Sequence, residues 1–181
     1  MSRAKMFSKG FRKYIGDMAK LGLTVVLIDQ TRENVGVVFG KKHTTSGGKA
    51  KEFYASTRVL LTHKGKILNQ HKRVIGVVVG FVVEKNKLAA PFRAGEFDLL
   101  FDYGIDDLSS NLNWIKEQNI ESFLKCSSNG RWIWEEKGFK GIKADLIQMI
   151  EEQELWKEVE LEVVRIWNIL YEPTGRRLRY D

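Results

Sequence analysis

The chain has 181 residues, 43% of them hydrophobic and 29% charged, with a formal net charge of +7 at pH 7. That length carries one good core, or one domain with a small appendage, and the composition excludes a disordered chain. A single cysteine, Cys126, excludes an internal disulfide and a cysteine-built zinc site, and His43, His63 and His71 lack metal-ligand spacing.

The charge is uneven: residues 1–100 hold 19 basic and 7 acidic side chains, residues 101–181 hold 11 and 16. A basic front half suggests a polyanion partner. No apolar run approaches the roughly 18 residues of a membrane span. The basic start MSRAKMFSKGFRKY has no apolar core behind it, so no signal peptide is expected and the expected location is cytoplasmic.

Residues 2–20 predict an amphipathic helix. Ser2 is a candidate cap, Met6, Phe7, Phe11, Tyr14, Ile15 and Met18 are expected to form a core stripe, and Arg3, Lys5, Lys9, Arg12 and Lys13 cover much of the rest. Leu21 and Gly22 break it. Residues 23–28 (LTVVLI) are a continuous apolar, β-branched run, the pattern of a parallel strand buried on both faces. It ends in Asp29, Gln30, Thr31 and Arg32, where open α/β sheets bind ligands. Residues 36–48 are a loop rich in Gly, Thr, Ser and Lys without GxxxxGK[ST] spacing, and 49–57 predict a short helix.

Strands are expected at 58–63, 74–83 and 96–101, with a polar hairpin turn over 64–73, a polar corner at 85–87 and a passage through Pro91. Such strands after a buried parallel one suggest an antiparallel extension of the sheet. The character changes near 104–106. Beyond it come polar helices or turns over 105–125, an Asn129-Gly130 turn beside a short strand at 131–134, one or two acidic amphipathic helices over 142–170, and the basic tail GRRLRYD.

Four segments in this order carry a resemblance: DQTRENVGVVFG at 29–40, TTSGG at 44–48, EFYASTR at 52–58 and EKNKLAAPFRAGEFDLLFDYGI at 84–105. Together they resemble the RecA recombinases of bacteria and their phages, collinearly over residues 3–105. Residues 106–170 have the expected length and the Trp-containing hairpin of that family's small C-terminal domain, with sparse matches. The resemblance implies an α/β fold: a partial RecA-like core, built of a buried parallel strand plus an antiparallel extension, with a small α+β C-terminal domain. It also implies that the chain is the C-terminal portion only, because the family's P-loop, catalytic glutamate, magnesium-binding aspartate and first DNA-binding loop lie upstream of the matched segment. Residues 1–104 would be the C-terminal half of the ATPase and DNA-binding core, and 105–181 the small domain.

What the resemblance implies for single residues follows from the matched positions. Gln30 would sense the terminal phosphate of a nucleotide, Lys85 and Lys87 would reach the ATP held by an adjacent subunit, and Phe101 would stack on its adenine. Residues 32–49 align with the second DNA-binding loop: Arg32, Gly47, Gly48 and Lys49 would meet single-strand phosphates, Val35 would wedge between bases, and Ser8 and Arg12 would reach the same strand. Glu33 and Asn34 depart from the family's usual residues and would weaken that contact, while Lys41 and Lys42 would offset them. Phe53 would insert into a neighbouring subunit. The second DNA site would fall on Thr62, His63, Gly80 and Val82, where only His63 can carry charge. In the small domain, Lys137, Lys140 and Lys143 are the best basic group.

The implied function is part of a recombinase that binds single-stranded DNA in an ATP-dependent filament for homologous recombination and DNA repair. ATP and magnesium would belong to the assembled filament, shared with a neighbouring subunit, and none would bind this chain alone, which is expected to be inactive as an ATPase by itself. The partners would be single-stranded DNA, possible duplex DNA, and an N-terminal half or full-length RecA-type subunits. The alternatives are a non-enzymatic DNA-binding or filament-modulating module, or a degenerate recombinase remnant.

Overall fold

The computed structural model describes residues 3–33, 43–45 and 49–171. It is a mixed α/β chain whose sheets are antiparallel wherever their register is defined. It divides into two compact units, residues 1–59 with 83–92 and residues 60–82 with 93–181.

In the first unit, helix α1 spans Arg3–Lys20. Gly22 ends it with φ of 63°, a left-handed conformation glycine adopts without penalty. That turn lets the Leu23 N–H donate to the Met18 carbonyl at 3.0 Å. Residues 21–30 then run as coil to the short strands β1 (Thr31–Glu33) and β2 (His43–Thr45), which pair antiparallel. Helix α2 spans Ala50–Tyr54 and packs on α1 through Phe11 and Tyr54, whose ring centroids are 5.4 Å apart.

Two expectations change here. The α1 stripe is not a core: Phe7, Phe11 and Met18 are half-buried, whereas Met6, Tyr14 and Ile15 are exposed, because the five-residue α2 covers only a narrow part of α1. The run at 23–28 is not a buried parallel strand. All six of its residues are exposed, Ile28 by 97%, and no described strand pairs with it. A strand of this type needs a neighbour on each edge and a layer on each face, and the described residues supply neither. No side chain described in this unit is buried.

Strands β3 (Thr57–Leu68) and β4 (Val74–Asn86) run through both units, and with β5 (Ala94–Leu100) and β6 (Gly104–Asp106) they form a sheet in the order β3-β4-β5-β6. The hairpin turn is tighter than the expected 64–73, because Asn69 alone organises it. Its side-chain oxygen accepts from the His71 N–H at 2.9 Å and the Arg73 N–H at 3.0 Å, which frees Lys64 through Leu68 to continue the strand. Gly76 is required on β4: a Cβ there would lie 2.5 Å from the Leu99 carbonyl oxygen of β5.

The core of the second unit lies beyond residue 106. Helix α3 (Asp107–Gln118) is capped by Asp106, whose carboxylate accepts from the Ser109 N–H at 2.9 Å, and ends at Asn119 in the left-handed region. Strands β7 (Leu124–Cys126), β8 (Trp132–Trp134) and β9 (Phe139–Gly141) form an antiparallel meander. The acidic segment is two helices, α4 (Lys143–Glu152) and α5 (Trp156–Tyr171), separated where Glu154 adopts φ of 54°. Leu112, Ile115, Leu124, Trp132, Trp134, Leu146, Ile150, Val159 and Ile166 make the core. No described helix is long and apolar enough to cross a membrane.

Candidate nucleic-acid interface

Helical spacing places Ala4, Ser8 and Arg12 in one row along α1, with Lys5, Lys9 and Lys13 in the adjacent row. The first row, together with Lys49, Ala50, Phe53 and Tyr54 at α2, lines an open groove of about 440 Å³. The structure therefore brings together four residues the sequence singles out from separate segments: Ser8, Arg12, Lys49 and Phe53. Arg12 and Lys49 are exposed, and Phe53 is 70% exposed.

Among the described residues, the acids near the groove are paired with other cations. Glu52 pairs with Arg58 at 3.6 Å, and Arg58 also holds Glu84 at 2.8 Å. Asp29 pairs with Lys51, whose ammonium also lies 5.1 Å over the Phe7 ring. The acid on α1 itself is Asp17, well beyond the groove-lining row. A groove with two lining cations, a flanking lysine row and an exposed aromatic ring is suited to a flexible polyanion.

Tyr54 is the groove residue that the residue-by-residue reading missed. It packs on Phe11 and meets Phe53 edge-on at 5.2 Å. The signal lay in the FYA triplet, where two adjacent aromatics on so short a helix cannot both turn inward.

The remaining positions are spread out. Arg32 is exposed on β1 opposite Thr44, and Gln30 is exposed in the coil just before it. Val35, Gly47 and Gly48 lie outside the described residues, as does most of the glycine-rich loop. Lys85 turns onto its own chain: its ammonium donates to the Glu52 carbonyl at 2.7 Å and the Phe53 carbonyl at 3.0 Å. Partial burial, then the Lys87 and Arg58 cations, hold its pKa below the usual lysine range. The Lys87 side chain is exposed, and its backbone N–H donates to the Ser56 carbonyl at 2.9 Å.

In the second unit, Phe101 is 62% exposed in the turn after β5. The Thr62 hydroxyl donates to the Gly80 carbonyl at 3.3 Å, and the Lys64 stem fills the space over Gly80. The basic group of the small domain is largely engaged. Lys137 pairs with Glu158 at 3.1 Å, and Lys143 donates to the Ser109 hydroxyl and to Asn113 at 2.8 Å. Burial, then Lys116, lowers the Lys143 pKa against the opposing pull of Asp98 and Asp106.

The sequence holds no GxxxxGK[ST] phosphate cradle, Lys85 is committed to its own carbonyls, and no three His, Cys, Asp or Glu side chains converge on a metal position among the described residues.

With this geometry in view, comparison with known proteins defines the family. The family profile described as the RecA N-terminal domain matches residues 1–106. The RecA protein of Chlamydia trachomatis is 34% identical over 160 residues, covering 87% of this chain and 44% of that relative. The RecA protein of Chlamydia felis is 32% identical over 169 residues, 92% of this chain and 47% of the relative, and that of Prochlorococcus marinus is 40% identical over 119 residues, 66% and 31%. The chain belongs to the RecA family of recombinases. It spans less than half the length of these curated relatives. The expectation of a C-terminal portion only is corrected in one respect: the matched stretch belongs to the domain the family profile names N-terminal.

Proposed function

We propose that this chain is part of a RecA-type recombinase that binds single-stranded DNA within an ATP-dependent filament during homologous recombination and repair. The observation that carries this reading is the groove between α1 and α2, in which Ser8, Arg12 and Lys49 meet although they come from separate segments. Arg12 and Lys49 would meet phosphates, giving affinity without sequence preference. Arg32, Val35, Gly47 and Gly48 would extend the contact along the second DNA-binding loop. Residues 1–104 would form part of the DNA-binding and nucleotide-sensing core, and 105–181 the small domain.

ATP and magnesium would be held by a neighbouring subunit, with Gln30, Lys87 and Phe101 facing the nucleotide and Lys85 joining them only after releasing the α2 carbonyls. Bound there, the nucleotide would supply the energy that sets the filament's DNA-binding state. A filament-modulating role is a second reading, favoured by the exposure of both Phe53 and Lys87. Mixing the chain with a full-length RecA protein discriminates: a modulator changes the intact protein's DNA-dependent ATPase, whereas a split subunit requires its own P-loop half.

Fluorescence anisotropy of a labelled oligothymidylate tests the main reading. Binding should weaken steeply with salt, the logarithmic slope being about −0.7 per phosphate contact, and Arg12→Gln should reduce the slope by about one contact. No binding at low salt would refute it.

A further inference from the structure

We propose that Arg93 is a latch that seats the last turn of α5 beside the start of β5, and that a phosphate group releases it. This inference concerns the second unit alone and does not rest on the reading of the α1–α2 groove.

The buried side chains of α5 are Val159, Glu162 and Ile166, and from Asn168 to Tyr171 every residue is exposed. The last turn carries no basic residue to oppose the negative end of the helix dipole. Arg93 supplies that charge from outside the helix. Its guanidinium carbon lies 4.6 Å from the Trp167 ring centroid and 4.8 Å from that of Tyr171, and these two rings, one helical turn apart, are 4.4 Å from each other. Trp167 in turn meets Trp114 of α3 at 6.1 Å. The last turn is therefore held by ring and cation contacts rather than by the core.

The seat is incomplete. Arg93 Nε is buried without a hydrogen-bond partner, and among the described residues no Asp or Glu pairs with the guanidinium. A buried unpaired donor costs about as much as a cation–π contact returns, so the seated and released states are close in free energy. A phosphate offers the guanidinium what the rings deny it, acceptor oxygens matched to its planar fork. Arg93 as a whole is only half-buried, which leaves it open to such a ligand. Binding there draws the guanidinium off the rings and frees residues 167–171.

Hydrogen exchange of the full chain, read by mass spectrometry of the peptide spanning residues 166–171, tests the latch. Sodium tripolyphosphate and single-stranded oligothymidylate are the two probes, with sodium chloride at matched ionic strength as the control. At least one probe should speed exchange about tenfold, the scale of one cation–π contact, while the chloride does not. Which probe acts separates a free polyphosphate from a nucleic-acid backbone. Arg93→Gln should exchange fast with no probe present and respond to neither. Tyr171→Phe, which keeps the ring, should behave as the parent. Parental protection of the core peptides around Leu112 and Trp134 reports that each variant is folded, and the parent-chain titration needs no variant. Parental protection of 166–171 in Arg93→Gln, or a parent chain that responds to neither probe, would overturn the latch. Release by tripolyphosphate in a chain that does not bind oligothymidylate would count against the groove reading alone.

Discussion

Glu162 and Lys85 show how single residues in this chain are committed by their neighbours. Glu162 is 3% exposed, and both of its carboxylate oxygens accept from the Arg165 guanidinium, at 2.8 and 2.7 Å. Burial alone would raise its pKa. The hydrogen bonds from Arg165 and Ser122, the Arg165 charge and the Phe123 N–H outweigh burial and hold it below 4.5. A carboxyl group depressed in this way stabilises the fold above its unfolded pKa, and that contribution disappears as pH falls through the folded value. Glu162→Gln should therefore cost about 1.5–3 kcal/mol near neutral pH, the range for hydrogen bonds to a charged group. Thermal melts of both proteins should converge as the pH is lowered below 4.5. A gap that stays constant across the acid range would contradict the assignment. Lys85 is the opposite lesson: its position in EKNK marks it for an intermolecular contact, yet two carbonyls of its own chain accept its hydrogen bonds.

At the scale of elements, local signals were legible where local chemistry decides the outcome. Gly22 ends α1, Asn129-Gly130 turns the chain, and the antiparallel strands after residue 57 follow from their runs and turns. The misjudged hairpin at 64–73 had the same root, since polar Lys64 and Lys66 read as a turn although exposure alternates from Thr57 to His63 and again from Lys64 to Leu68, with one change of phase where His63 and Lys64 are both exposed. The run at 23–28 failed for another reason. Its composition specifies a strand with four neighbours, and no property of the six residues themselves creates those neighbours. Left exposed, this apolar stretch is a surface for association. Replacing Val26 and Ile28 together with lysine should lower light scattering and hydrophobic-dye binding. Stability should change by no more than about 0.5 kcal/mol, because neither side chain is packed. Unchanged scattering and dye binding would show that the stretch is not the adhesive surface.

Across the whole molecule, burial and charge are separated. Among the described residues the fully buried apolar side chains all lie in 107–171, and the first compact unit has no buried side chain, while the basic excess lies in the first hundred residues of the sequence. Ser8, Arg12, Lys49 and Phe53, which the structure brings to one groove, were singled out in the sequence because the family motifs are collinear. The shape of the groove was not legible, since it arises from a helix-on-helix contact between residues more than 35 positions apart in the chain. The function proposed here depends on that groove being where DNA lies. Photo-crosslinking with single-stranded DNA containing 5-iodouracil, followed by mass spectrometry of the linked peptides, measures this directly. The account predicts adducts on the peptides that line the groove, those holding residues 4–12 of α1 and residues 49–54 at α2. Adducts confined to the small domain at residues 107–171 would contradict it.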